Sequence, residues 1–302
     1  MADEGPVSCT LVELGEKGLL RRGRRLRSMG EAVRYGLRQA GSIRSRQLAF
    51  LGWTVFSAAL GAWVLAIMHR RIGAGPWATA VAVESVWFAI SVFAGYIHLD
   101  LVRRPDGTPW RSFLTPNGMT LSRLALAPLV AFASAHAFAL RPDADLVLWP
   151  LVYVVGSDLL DGQIARVLRL KSEWGRLADP FSDIFLASWF APGLWWGGLL
   201  VPWLGFMIVF RFAGTLLAVF TIWGRGKPIR VVPTWPGRVA NFAVDVYLPF
   251  LLAAAIRWPH WFGTEWLEWM FRLTAAAVLV NIIYFTFRLA RTFGSRTNAA
   301  RA

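Results

Sequence analysis

Apolar runs divide the chain into eight stretches, each close to the roughly 20 residues that a helix needs to cross a bilayer. They cover about 48–68, 77–101, 118–140, 145–168, 177–198, 201–223, 239–257 and 268–290. The fifth and sixth meet softly at Gly197, Gly198 and Pro202, residues that commonly end a helix. No internal repeat and no low-complexity segment interrupts the series. The pattern predicts an all-α integral membrane protein, a single bundle of eight transmembrane helices behind a polar N-terminal segment.

Composition supports this reading. Of the 302 residues, 56% are hydrophobic and 17 are Trp, which leaves too little polar surface for a soluble domain of this size. The formal charge is +14, from 32 basic and 18 acidic residues. Such an excess could mark a nucleic-acid binder, but most of it sits in the first 47 residues and in short connections between apolar runs. That placement suits anionic lipid headgroups, and no nucleic-acid partner is expected.

Residues 1–47 are too long and too polar for the n-region of a cleavable signal peptide. Within them Leu26, Met29, Val33, Leu37 and Ala40 recur at helical spacing among arginines. This predicts a basic amphipathic helix on the lipid surface. Gly23, Gly30, Gly36 and Gly41 weaken a helix and keep a disordered basic tail as the alternative. The single cysteine, Cys9, supports neither a disulfide framework nor a cysteine metal site.

Charge also orients the bundle. With the N-terminal segment cytoplasmic, the inner connections hold Arg103, Arg104, Arg111, Arg166, Arg169, Lys171, Arg176, Arg225, Lys227, Arg230 and Arg238. The outer ones hold only Arg70, Arg71, Arg141, Arg257 and Arg272. Both termini are therefore expected on the cytoplasmic side. The outer segment 257–271 is Trp-rich, as expected of residues at a membrane interface.

The segment Ser157–Asp183 departs from this apolar background, with four aspartates, a glutamate and four basic residues. Asp158 and Asp161, three apart, share a face at the end of the fourth span, and Asp179 and Asp183, four apart, share one at the start of the fifth. The short link from Arg166 to Gly175 makes these two helices antiparallel neighbours whose carboxylates can face each other. One charge at a helix centre costs roughly 2.5–3.5 kcal/mol, so four together need compensation. Arginines could supply it as a structural ion-pair cluster. Oxygen donors from two helices also suit a hard cation such as Mg²⁺, Mn²⁺ or Ca²⁺. The small Gly162 and Ala165 leave room for a bulky ligand, and Arg166 offers a phosphate-matching fork. Together they point to a pyrophosphate bound through metal.

This stretch resembles the signature of the CDP-alcohol phosphotransferases, D-x-x-D-G-x-x-A-R, eight residues, then G-x-x-x-D-x-x-x-D. Asp158, Asp161, Gly162, Ala165, Arg166, Gly175, Asp179 and Asp183 fill all eight fixed positions with the right gaps. The segment "TPNGMTLSRLALAP", with Asn117, Thr120, Arg123 and Pro128, is similar to the family's opening helix. The resemblance implies a six-helix bundle over 113–292. Two additional helices and a connection, 48–112, would precede it, and a cytoplasmic tail, 293–302, would follow.

What the resemblance implies chemically is transfer of a phosphatidyl group from CDP-diacylglycerol to a small polar alcohol, with release of CMP. Mg²⁺ or Mn²⁺, two per site, would be held by Asp158, Asp161, Asp179 and Asp183, with Asp183 also taking the proton of the attacking hydroxyl. Asn117, Arg123, Asp161, Gly162, Ala165, Arg166 and Gly175 would hold the CDP moiety. The enzyme would lie in a bacterial inner membrane with its active site facing the cytoplasm, and a homodimer is compatible with this.

The acceptor is read from the later arginines. An arginine within the sixth span, Arg211, is costly unless it has a purpose; a partner such as Asp245 is the alternative. Arg211, Arg225 and Arg238 are the candidates for an acceptor phosphate. The run from Arg211 to Asn241 is similar to phosphatidylglycerophosphate synthases, although Gly237-Arg238 replaces Gly-Lys, Ala240 and Asn241 replace Lys-Thr, and Ile184 replaces a lysine. Glycerol 3-phosphate is the leading acceptor; inositol phosphate, serine and choline stay open. Glu84, His98, His136, Asp245 and Asn281 are read as helix–helix hydrogen-bond partners. The rivals from other classes are a cation transporter, whose site would lie nearer the midplane, and a non-catalytic membrane scaffold.

Overall fold

The computed structural model describes residues 43–224 and 234–299, together with Arg34, Leu37 and Arg38. The expected surface helix of the basic segment falls almost wholly outside the described residues, as do Arg225, Lys227 and Arg230.

Among the described residues every regular element is helical. In chain order these are α1 (Arg44–Ile72), α2 (Ala74–Ile97), α3 (Thr115–Ala125), α4 (Ala127–Ala135), α5 (Ala144–Val167), α6 (Glu173–Trp196), α7 (Pro202–Gly224), α8 (Trp235–Ile256) and α9 (Glu265–Ala299). Each apolar stretch read from the sequence is helical over most of its length. By length and hydropathy alone, α1, α2, α8 and α9 are apolar enough to cross a membrane, and α3 with α4 make a fifth if taken as one bent span. Many large apolar side chains, among them Val55, Trp63, Val86, Phe206 and Ile283, stay exposed on the bundle's outside. Water would penalise such a surface and lipid would not.

The third apolar stretch does not form one straight span. It bends by 46° at Leu126, between α3 and α4. Pro128 explains the bend: it has no N–H to bond the carbonyl four residues back and its ring crowds that carbonyl. The freed carbonyl, of Leu124, accepts from Trp87 Nε1 on α2 at 2.7 Å. The N–H of Leu129 donates instead to Glu84 Oε2, also on α2, at 3.0 Å. Glu84 and Trp87, three apart, thus satisfy both sides of the break.

The remaining contacts set the register of the bundle. Gly73 links α1 to α2 at φ 79° and ψ 166°, a conformation open essentially to glycine. α4 lies against the far end of α6, where Gly193 and Gly197, four apart, meet its backbone. A Cβ at Gly193 would stand 2.3 Å from the Ala131 carbonyl oxygen, and one at Gly197 would stand 2.6 Å from that of Ser134. This is the small-residue spacing that lets membrane helices approach at backbone distance. α6 also contains Pro180 and Pro192 within its length.

Candidate active site

α5 ends in a Schellman-type turn. Leu170 N–H donates to the Ala165 carbonyl, Arg169 N–H to that of Arg166, and Arg169 adopts φ 54°. The chain reverses there, and Ser172 caps α6 by accepting from Gly175 N–H at 3.0 Å. Beyond the turn α5 and α6 do not pack closely on each other, unlike the neighbours that the sequence suggested. Each packs on α3, and Asp158 and Asp161 meet Asp179 and Asp183 through side chains of that helix.

The third side of the site comes from α3, whose Asn117, Thr120 and Arg123 recur every three residues along one face. The Arg123 side chain is fully buried. Its Nη1 stands 2.9 Å from Asp158 Oδ1, and its Nη2 stands 3.5 Å from Asp161 Oδ2 and 3.3 Å from Asp183 Oδ1. Nε and Nη2 also donate to Ser182 Oγ. Arg123, expected beside the nucleotide, is in this structure paired with three of the four aspartates.

The fourth aspartate is joined through Thr120. Its hydroxyl lies 2.9 Å from Asp179 Oδ1, 3.0 Å from Asp161 Oδ2 and 3.0 Å from the Pro116 carbonyl oxygen. A hydroxyl has one proton, so it can donate to only one of these three acceptors at a time. Four carboxylates against one guanidinium leave three formal negative charges. An all-oxygen donor set with that surplus fits a hard divalent cation. As the side chains stand, no three acidic or histidine groups among the described residues converge tightly enough to hold one ion.

Asn117 is buried; its Oδ1 accepts from Ser172 Oγ at 2.8 Å, and its Nδ2 has no hydrogen-bond partner in the structure. Gly175 permits this approach, since a Cβ there would lie 3.1 Å from Asn117 Oδ1. The Arg166 side chain lies over Gly162, with Nη1 3.4 Å from the position of a Cβ there. Ala165 is half-buried on the same helix. Asp158 and Asp183 stay partly exposed, at 43% and 36% of their side chains, whereas Asp161 is buried at 5%.

Asp158 and Asp183 open onto a cavity of about 290 Å³ between α5, α6 and α8. Beyond these carboxylates, Arg123 and Asp245, its walls are almost entirely apolar, with Val152, Val155, Leu186, Phe190 and Phe242 among them. The reading of Asp245 as a helix–helix partner missed this position. From the sequence Thr120 reads only as part of the opening helix, although its spacing from Asn117 and Arg123 carries the signal of a place at the aspartates.

The candidate acceptor arginines lie elsewhere. Arg211 on α7 donates from Nε to Asn281 Oδ1 at 2.6 Å, and from Nη2 to the Gly237 carbonyl and to Asn241 Oδ1. Among the described residues it forms no ion pair with Asp245, and neither Arg211 nor Arg238 lines the cavity. Arg238 is exposed in the first turn of α8, and Arg225 lies outside the described residues.

A sequence profile described as CDP-alcohol phosphatidyltransferase matches residues 113–287, more than half of the chain. A protein named putative cardiolipin synthase from Mycobacterium tuberculosis is 32% identical over 151 residues, covering 49% of this chain and 68% of that protein. A probable cardiolipin synthase (CMP-forming) from Drosophila melanogaster is 34% identical over 108 residues, covering 35% of this chain and 32% of its own. A probable phosphatidylglycerophosphate synthase from Mycobacterium tuberculosis is 28% identical over 132 residues, covering 43% and 61%. No solved structure matches the chain.

Proposed function

Because the chain belongs to the CDP-alcohol phosphatidyltransferase family, we propose that it transfers a phosphatidyl group from CDP-diacylglycerol to an alcohol and releases CMP. One observation carries this reading. The four signature aspartates gather around Arg123 and Thr120, at the head of an apolar cavity. Polar chemistry and an acyl-bearing substrate need such a junction.

Mg²⁺ or Mn²⁺ bound by Asp158, Asp161, Asp179 and Asp183 would neutralise the diphosphate and the charge that develops on departing CMP. The protein's own groups account for the rest. The acceptor oxygen attacks the phosphatidyl phosphorus, a new P–O bond forms, and the P–O bond to CMP breaks. Asp183, half open to the cavity, takes the hydroxyl proton. Asn117 Nδ2 is an unused buried donor beside Gly175, suited to the nucleotide. Arg166 is exposed, with its guanidinium over Gly162, and is suited to the phosphates.

Glycerol 3-phosphate is the first acceptor to test. In its favour, Arg211 keeps Nη1 buried with no hydrogen-bond partner among the described residues. A second reading, an acceptor that is itself a lipid alcohol, is favoured by the apolar cavity walls. The relatives named cardiolipin synthase point the same way, because cardiolipin carries two phosphatidyl groups on one glycerol. The purified protein should release CMP from CDP-diacylglycerol with Mg²⁺ or Mn²⁺ and one of glycerol 3-phosphate, inositol phosphate, serine, choline or phosphatidylglycerol. If glycerol 3-phosphate is used, Arg211→Gln should raise its KM about tenfold and leave that of CDP-diacylglycerol nearly unchanged. Preference for the lipid acceptor, with Arg211→Gln silent, would make Arg211 structural. No CMP release with any acceptor would return the chain to the transporter or scaffold readings.

The proposed orientation places this site on the cytoplasmic side. In a Cys9→Ser background, Pro142→Cys and Lys171→Cys, at the two ends of α5, should react with an impermeant maleimide from opposite faces of sealed vesicles. Labelling of both from one face would refute α5 as a span.

A further inference from the structure

The helix pair α1–α2 precedes the family match, and nothing in the proposed chemistry uses it. Its contacts nevertheless converge on α3, the helix that supplies Asn117, Thr120 and Arg123. From α1, the Trp53 ring lies where a Cβ on Gly118 would be, 2.1 Å from its nearest atom. Ser57 Oγ sits 2.7 Å from Ser122 Oγ, beside Arg123. From α2, Trp87 and Glu84 take the Leu124 carbonyl and the Leu129 N–H on either side of the break that follows Arg123. The Glu84 side chain is buried, and its second oxygen has no hydrogen-bond partner. Burying a carboxyl at this depth is costly, and the Leu129 N–H is the one hydrogen-bond donor it serves among the described residues.

We infer that α1–α2 is a positioning element for the transferase site, and that Glu84 and Trp87 hold the α3–α4 break so that Thr120 and Arg123 meet the aspartates. Each of those α3 side chains touches two or three carboxylates at hydrogen-bond or ion-pair distance. Rotation of α3 about its axis or a slip along it would break several of these contacts together. Pro128 leaves the Leu124 carbonyl without its partner four residues on, and its direction is set instead by an indole on another helix. Arg123 is adjacent to Leu124 and Asn117 lies two turns away, so loosening the break displaces the charged cluster more than the nucleotide end. The inference rests on the proposed reaction for its kinetic part only.

The test compares Glu84→Ala, Glu84→Gln and Trp87→Phe in the full chain by CMP release and by amide hydrogen exchange. Glutamine keeps an oxygen that can accept the Leu129 N–H, and phenylalanine keeps the ring contacts of Trp87 with Phe185 and Trp189 but not the donor. Glu84→Ala and Trp87→Phe should lower kcat roughly 10- to 100-fold with little change in the KM of CDP-diacylglycerol. Exchange should quicken in peptides covering 118–131 while α8 is unaffected. Glu84→Gln should restore both signals. Wild-type kcat and exchange in Glu84→Ala and Trp87→Phe overturn the inference, as does a glutamine variant as defective as the alanine one. If even the wild-type protein releases no CMP while exchange responds as described, the proposed reaction fails and the holding of the break by Glu84 and Trp87 stands.

Discussion

Stripping divalent cations with excess EDTA should reduce CMP release to background, and restoring Mg²⁺ or Mn²⁺ should recover it. The argument is one of charge and ligand type. Asp158, Asp161, Asp179 and Asp183 present oxygen donors to one another with Arg123 as the one cation among them, and the substrate would add a negatively charged diphosphate. Without further positive charge, the like-signed groups oppose the approach on which transfer depends. A bound divalent cation typically supplies several kcal/mol of transition-state stabilisation; about 4 kcal/mol is roughly a thousandfold in rate. Full activity in EDTA would remove the metal from the proposal and leave Arg123 to carry the charge alone.

The second large effect is expected at Arg123. Its side chain has no exposed surface and faces three carboxylates within 3.5 Å. Removing one partner of a fully buried ion pair typically costs about 3–5 kcal/mol. Here Asp161 would be left buried without compensation, while the partly exposed Asp158 and Asp183 are screened by solvent, so the lower end of that range is expected. Arg123→Gln should therefore lower the melting temperature in detergent sharply and abolish activity. Arg123→Lys should lose less stability, since it keeps the charge but not the fork that spans several partners. Added Mg²⁺ or Mn²⁺ should recover part of the stability of Arg123→Gln, because cation and guanidinium would neutralise the same carboxylates. Wild-type stability in Arg123→Gln would mean that the aspartates are compensated by something else.

The sequence made the helices and the aspartate pairing legible for different reasons. Apolar runs locate helices almost directly, so the eight stretches and the helices agree closely at most ends. Over the described residues, however, α5, α6 and α7 do not reach the apolar length of a span, and the expected eight crossings are not all met. Residue separations of three and four along two linked helices leave little freedom for Asp158, Asp161, Asp179 and Asp183. The bend at Leu126 was not legible, although Pro128 stood in the run. Proline is tolerated in the first turn of a helix and disruptive further in, and the sequence does not say which position it occupies. Partners across helices were equally hidden. Arg211 chose Asn241 and Asn281 over Asp245, and Glu84 chose a backbone N–H, because helix rotation decides such pairings and periodicity does not encode it. Arg123 shows the same limit: burial against three aspartates follows from where α3 lies, which its own residues do not state.

The seating of α6 on α4 has a mechanical consequence. Gly193 and Gly197 fix the helix at the end remote from its carboxylates, so α6 resembles a lever clamped at its tail. Pro180 interrupts its backbone hydrogen bonding close to the other end, directly between Asp179 and Asp183. Flexure at that joint would alter the bite of the two carboxylates while the clamped end stayed still. In that case the pair would act less as a rigid fork than as a pincer with an adjustable gap.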